Sequence, residues 1–215
     1  MDLTVDLRVA ELLVSRLAHE LVNPIGAVSN GVELIAELGS ADADALRLIE
    51  HSARAAAARL QFYRLAYGQA SGTNADLSLA EARPLAEAVM TTARLRLDWP
   101  AGAAAERRLG REALQLALNL LVLAAEALPR GGVVALGLAA GPAGPELFIE
   151  ARGEQAALSP EARAALDGAA APEALSARSV HAYFTGRVAA RLGRPVALGE
   201  TPGALRFHFD LPAGH

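Results

Sequence analysis

Two residue types are missing outright: the 215-residue chain has no cysteine, and all 20 of its basic residues are arginine, so it has no lysine. The first absence excludes disulfides, thiol catalysis and thiolate metal sites. The second excludes Schiff-base chemistry and any phosphate loop built around a lysine. An excess of positive charge is lacking too. The formal net charge is -4 and the pI is near 5.8, whereas a nucleic-acid binder normally carries a basic stripe. No stretch reaches the roughly 18 consecutive apolar residues of a membrane span, because Glu, Arg or Asn interrupts every candidate. Met1 to Asp6 are acidic and lack the basic start of a signal peptide. These exclusions lead us to expect a cytoplasmic protein that neither spans a membrane nor binds nucleic acid.

What is present in surplus is apolar surface. Hydrophobic residues make up 53% of the chain and the mean hydropathy is +0.25, an excess of the kind hidden where subunits meet. An oligomer is therefore expected. Near the start, Val14, Leu17, Leu21, Ile25, Val28, Val32 and Ile35 recur at the three-and-four spacing of one long amphipathic helix. Gly39 is its expected stop. Ser40 to Asp44 supply a turn with N-cap candidates for a second helix, which carries Leu46, Ile49, Ala53, Ala57, Leu60, Tyr63 and Tyr67 on one side. Two such helices cannot close a core alone, whereas two hairpins from two subunits make a four-helix bundle. Residues 1–70 are thus read as a dimerising helical hairpin.

Gly68 to Asn74 is small and polar and reads as a linker to a second module, residues 75–215. Ser78-Leu79-Ala80-Glu81 has the capping-box spacing and opens a helix to about Thr92, with Pro84 inside it. Leu95, Leu97 and Trp99 alternate as in a strand, and Arg111 to Leu128 is helical. Pro129-Arg130-Gly131-Gly132 turns into a strand over Val133 to Leu138, which pairs through a hairpin at Gly141 to Pro145 with Glu146 to Ala151. Helices over Pro160 to Leu166 and Leu175 to Leu192, with strands Val196 to Leu198 and Ala204 to Leu211, complete an α+β module with helices on one face of a mixed sheet. Gly168 to Pro172 reads as a mobile loop.

The most informative string runs from Ser15 to Val28. At about 100° per residue, His19 points away from the stripe that holds Leu17 and Leu21, and so into solvent. Asn23, Gly26 and Asn30 share its face, giving a polar strip of little bulk against which another protein can press. Pro24 cannot donate to the Glu20 carbonyl, and Gly26 costs roughly 1 kcal/mol relative to Ala inside a helix. Two unfavourable residues in one turn point to a site.

His19-Glu20-Leu21-Val22-Asn23-Pro24 resembles the phosphoacceptor box of sensor histidine kinases, whose histidine, on the first helix of a dimeric bundle, takes a phosphoryl group on a ring nitrogen. The resemblance implies His19 as the nucleophile and Glu20 as its hydrogen-bonding or base-like neighbour. It implies Asn23 as the polar residue that helps place water or the partner's active site. Ser15, Arg16, Val22, Gly26 and Asn30 are the docking candidates around it. The order of elements after residue 74 is similar to the histidine-kinase-type ATPase domain, a Bergerat-like α/β sandwich, in degenerate form. On that resemblance the magnesium-binding Asn falls on Leu123 and the basic nucleotide contact on Glu126. The Asp-x-Gly-x-Gly box falls on Gly153 to Ala157, and the glycine-rich lid on Ser179-Val180-His181-Ala182.

A kept phosphoacceptor box beside a degenerate nucleotide domain resembles the ChpT-like histidine phosphotransferases, and Ser179 to Gly186 resembles that family's counterpart of the lid. This implies a homodimer that accepts phosphoryl from the receiver domain of a CckA-like hybrid histidine kinase and passes it to CtrA-like and CpdR-like response regulators. It implies no cofactor bound by the chain itself, with Mg²⁺ brought by the receiver. The rival roles are a weak ATP-dependent histidine kinase, a non-catalytic docking scaffold or kinase inhibitor, and a phosphatase in which Asn23 orients water. His51, His181, His208 and His215 lack metal-ligand spacing and read as structural or solvated. Tyr63 and Tyr67 read as core or rim of the bundle.

Overall fold

The computed structural model describes residues 6–38, 43–68, 76–141 and 144–211. The expected stop at Gly39, most of the turn after it, the linker from residue 69, the tip of the hairpin at 142–143 and His215 lie outside those residues. The hairpin consists of α1 (Leu7–Leu38) and α2 (Ala43–Tyr67). Their approach is set at Gly31, where a Cβ would meet Ile49 Cγ1 at 2.5 Å, so only a residue without a side chain permits this crossing. The apolar stripes divide into two. Val9, Phe62, Tyr63 and Ala66 are buried against the rest of the chain. Val14, Ile25, Val32, Leu46 and Leu60 are each at least half exposed along the hairpin's flank.

The second module begins with β1 (Asp76–Ser78) and α3 (Leu79–Met90). The capping box forms as expected: Glu81 N donates to Ser78 Oγ at 3.2 Å, and Ser78 N donates to Glu81 Oε2 at 2.7 Å. Next come β2 (Leu95–Asp98), β3 (Arg108–Gly110), α4 (Arg111–Glu126), β4 (Gly132–Gly141) and β5 (Gly144–Arg152). The chain ends through α5 (Pro160–Leu166), α6 (Val180–Leu192), β6 (Ala197–Thr201) and β7 (Ala204–Asp210). The main sheet has the order β2-β4-β5-β7-β6, parallel only between β2 and β4. β1 and β3 pair antiparallel as a separate ribbon.

Alternation along the strands decides the layering. Val134, Leu136, Leu147, Ile149, Leu205, Phe207 and Phe209 are buried on the helix side. The opposite face is charged: Arg206 pairs with Glu150 at 2.5 Å and lies 4.5 Å over the Phe148 ring. α4 is buried from Ala113 to Ala124 without a polar face to spare, as befits a helix enclosed by the sheet, α2, α3 and α6.

Two expectations need correction, and one ribbon was not anticipated. The last helix starts at Val180 and not at Leu175. Ser176 N donates to Ser179 Oγ at 3.0 Å and Arg178 N to Ser176 Oγ at 3.2 Å, local bonds that compete with the helix and delay it. The stretch after α5 is tied down where a mobile loop was expected: the amides of Gly168, Ala169 and Ala170 donate to the carbonyls of Ala164 and Ala165. Strands β1 and β3 were not expected at all, being three residues each.

Candidate functional site

His19 lies midway along α1 and is exposed, as are Ser15, Val22, Asn23 and Asn30 around it. A Cβ on Gly26 would meet nothing within 4 Å, so nothing in the chain itself demands a glycine there. Among the described residues no hydrogen bond or ion pair engages His19 or Asn23. An imidazole so placed keeps a ring nitrogen lone pair for an incoming electrophile.

Arg16, one of the docking candidates, points away from the open strip. Its side chain is 16% exposed and forms an ion pair with Glu126 at the end of α4. Three residues back along the helix is about 60° round from His19, enough to turn the guanidinium from the open strip toward the lobe. Glu20, about 100° round, is likewise half-buried and forms no hydrogen bond with His19. Its charge instead acts on the phenols of Tyr63 and Tyr67.

Below the strip, the hairpin is fastened to the lobe by buried polar groups, among them His181 and Tyr67, expected to be structural. Helix α2 ends at Tyr67, which leaves the carbonyl of Ala66 without a helical partner. Gln115 Nε2 at 3.1 Å and Asn119 Nδ2 at 2.6 Å both donate to it from consecutive turns of α4. His181, fully buried, spans α4 and α2: Nε2 lies 3.0 Å from the Asn119 carbonyl and Nδ1 lies 3.0 Å from the Tyr67 hydroxyl. A carbonyl only accepts, so Nε2 carries the proton and Tyr67 donates to Nδ1. Phe184 stacks edge-on against Tyr67 at 5.4 Å between centroids. The sequence did hold one signal for this joint: Gln115 and Asn119 are an i, i+4 amide pair in an otherwise apolar helix.

Burial sets the electrostatics here. Burial, then the Arg16 charge, push the His181 pKa down to about 3, so the ring is neutral. Burial raises the Tyr67 hydroxyl to about 12 and keeps it a donor. Burial pushes the Glu126 carboxyl up against the pull of Arg16. Arg16 stays charged: burial opposes this, but Glu126 and the two phenols outweigh it. No group of three or more His, Asp or Glu is placed to hold a metal ion among the described residues. Two open clefts lie on the lobe. One of about 500 Å³ includes Arg194 and His208, and one of about 540 Å³ includes Arg96 and Arg152. Neither is lined by a residue of α1.

The site thus consists of a helical hairpin with an exposed, unbonded histidine on its first helix, followed by a sheet with helices on one face. A family model for the histidine phosphotransferase C-terminal domain matches residues 79–202, and the chain belongs to that family. It is a phosphotransferase, 34% identical over 190 residues to Protein phosphotransferase ChpT of Brucella abortus (strain 2308), covering 88% of this chain and 89% of that protein. A solved structure of a bacterial phosphotransferase aligns over 97% of this chain and 98% of its own, with 32% identity and a TM-score of 0.76.

Proposed function

We propose that the protein relays a phosphoryl group between receiver-domain aspartates through phosphohistidine at His19. The observation that carries this reading is the exposed, unbonded imidazole in a His-Glu-Leu-x-Asn-Pro box on a member of the histidine phosphotransferase family. In the forward step a ring nitrogen lone pair forms the P–N bond as the P–O bond to the receiver aspartate breaks. The carboxylate leaves with the electron pair and the imidazole retains its other proton. The return step is the reverse. Such a transition state is loose and needs in-line approach and neutralised equatorial oxygens. The receiver supplies Mg²⁺ and its own lysine; His19 supplies the nucleophile and an uncrowded face. Asn23 orients the incoming group, and Glu20 acts on it through its charge. Ser15, Val22, Gly26 and Asn30 form the contact strip.

The donor is the receiver of a CckA-like hybrid kinase and the acceptors are CtrA-like and CpdR-like regulators, as the family resemblance implies; the setting is cytoplasmic. The working form is a homodimer. The exposed Val14, Ile25, Val32, Leu46 and Leu60 make an apolar flank that a second hairpin covers to close a four-helix bundle. His19 lies on the other side of α1 and stays open. The chain does not use ATP, a reading supported by burial: His181, which the resemblance puts in the lid, and Leu123, which it puts at the magnesium-binding Asn, are both fully buried.

Mixing the protein with a phosphorylated receiver and following the label tests this. The label is expected on His19 and then on a second receiver, and His19→Gln is expected to take none. Label entering His19 from ATP makes the protein a kinase. Activity surviving His19→Gln makes it a scaffold. Free phosphate without phosphohistidine makes it a phosphatase.

A further inference from the structure

Both helices of the hairpin pack apolar side chains on the core, Val9, Leu13 and Leu17 from α1 among them, but their polar ties to the lobe differ. α2 is held by the burial of Phe62, Tyr63 and Ala66 and by two amides on the Ala66 carbonyl. α1, which bears His19, has only two polar ties to the lobe among the described residues, both from arginines. Arg8 Nη2 donates to the Leu175 carbonyl at 2.9 Å, and Arg16 pairs with Glu126. Arg16 is one turn before His19. Its Nε is buried without a hydrogen-bond partner, a cost that an apolar residue would not incur. The groups facing its charge are Glu126, Tyr63 and Tyr67, with Glu20 and His181 within their electrostatic reach. Glu126 is also the position where the family resemblance would put a basic nucleotide contact, so an acid there suits a bond to α1 and not to phosphate.

We propose that Arg16 and Glu126 are positioning residues for phosphoryl transfer. Their ion pair fixes the lobe against α1 one turn below His19, so that a docking receiver meets hairpin and lobe as one rigid surface. The idea rests on the relay through His19 proposed above. Neither residue touches the phosphoryl group, and both act through the angle of α1. Breaking the pair therefore weakens receiver docking and leaves the intrinsic reactivity of the imidazole unchanged.

The test uses the full chain and the same phosphorylated receiver. Arg16→Glu and Glu126→Arg are each expected to raise the receiver concentration for half-maximal transfer about tenfold. The double exchange, which restores an ion pair of reversed sense, is expected to return it to within about threefold of wild type. Carbethoxylation of His19 by diethyl pyrocarbonate, which needs exposure but no docking, is expected at the wild-type rate in all three. If a reversed charge prevents folding, Arg16→Gln and Glu126→Gln replace it, each expected to raise the same concentration about threefold. Single variants that transfer with wild-type concentration dependence overturn the proposal. So does a double exchange that folds, reacts normally with the reagent and transfers no better than the singles. A wild-type chain that takes no label at His19 overturns the relay itself, and with it this proposal, before any variant is made.

Discussion

The chain places the same side chain in two opposite settings. His19 stands on an open helix flank with no partner, whereas His181 is fully buried with both ring nitrogens bonded. The difference is one of surroundings. A residue whose hydrogen-bonding capacity is consumed by a carbonyl and a phenol becomes part of the frame. The same ring left unbonded on a strip of small polar residues is available for chemistry. The two regions also differ in what they cost. The open strip tolerates a glycine and a proline in one helix, while the joint satisfies the end of α2 with two amides.

The contrast is sharpest for the two imidazoles themselves. His19→Gln is expected to abolish transfer while shifting unfolding stability by less than about 0.5 kcal/mol, as for an exposed residue without contacts. A chemical denaturation curve beside the label assay checks both halves. His181→Ala is expected to do the reverse, destabilising by roughly 2–4 kcal/mol through a cavity and a buried Tyr67 hydroxyl left without its partner. Its folded fraction should still take label at His19. An unchanged denaturation midpoint would show that the joint is not what holds the lobe.

Acid probes the same pair. The folded pKa of His181, about 3, lies below the ordinary 6.5, so the folded state binds fewer protons than the unfolded one. Its contribution is complete above about pH 6.5 and is lost as pH falls toward 3, at up to about 1.4 kcal/mol per unit. Between pH 7.5 and 5 this amounts to roughly 2 kcal/mol. Urea titrations at both pH values should show the unfolding free energy of the wild type falling by about 2 kcal/mol more than that of His181→Leu.

Two smaller effects test the flanks of α1. Leu60→Asp is expected to turn the proposed dimer into a monomer by light scattering, because it puts a charge in the seam between subunits. A variant that stays dimeric would place the seam elsewhere. Gly26→Ala is expected to stabilise the helix by about 0.5–1 kcal/mol, since its Cβ meets nothing. It should also raise the receiver concentration needed for transfer a few-fold, as the methyl group stands on the proposed docking strip.

Much of this architecture was legible beforehand. Three-and-four spacing located both helices of the hairpin, Ser78 and Glu81 announced the capping box, and Gly131-Gly132 marked the turn into β4. Periodicity assigned His19 to solvent correctly, because its direction depends only on 100° per residue. The ion pair of Arg16 was not legible, because 60° of rotation separates the open strip from the lobe and nothing in the local sequence says where Glu126 will stand. The late start of α6 escaped notice because Ser176 and Ser179 bond locally to backbone, which hydrophobic spacing does not register. Strands β1 and β3 are too short to have a period.

Local chemistry alone thus determined the elements, the polar strip around His19 and the absence of any thiol or amine nucleophile. These follow from residue types and from a fixed helical repeat. The tertiary structure decided which polar residues would be spent on holding two modules together. The carbonyl of Ala66 needed donors once α2 ended, and only the packing of α4 and α6 brought Gln115, Asn119, His181 and Glu126 to that end of the hairpin. Partnership over such separations depends on the path of the whole chain, and no short window of sequence contains it.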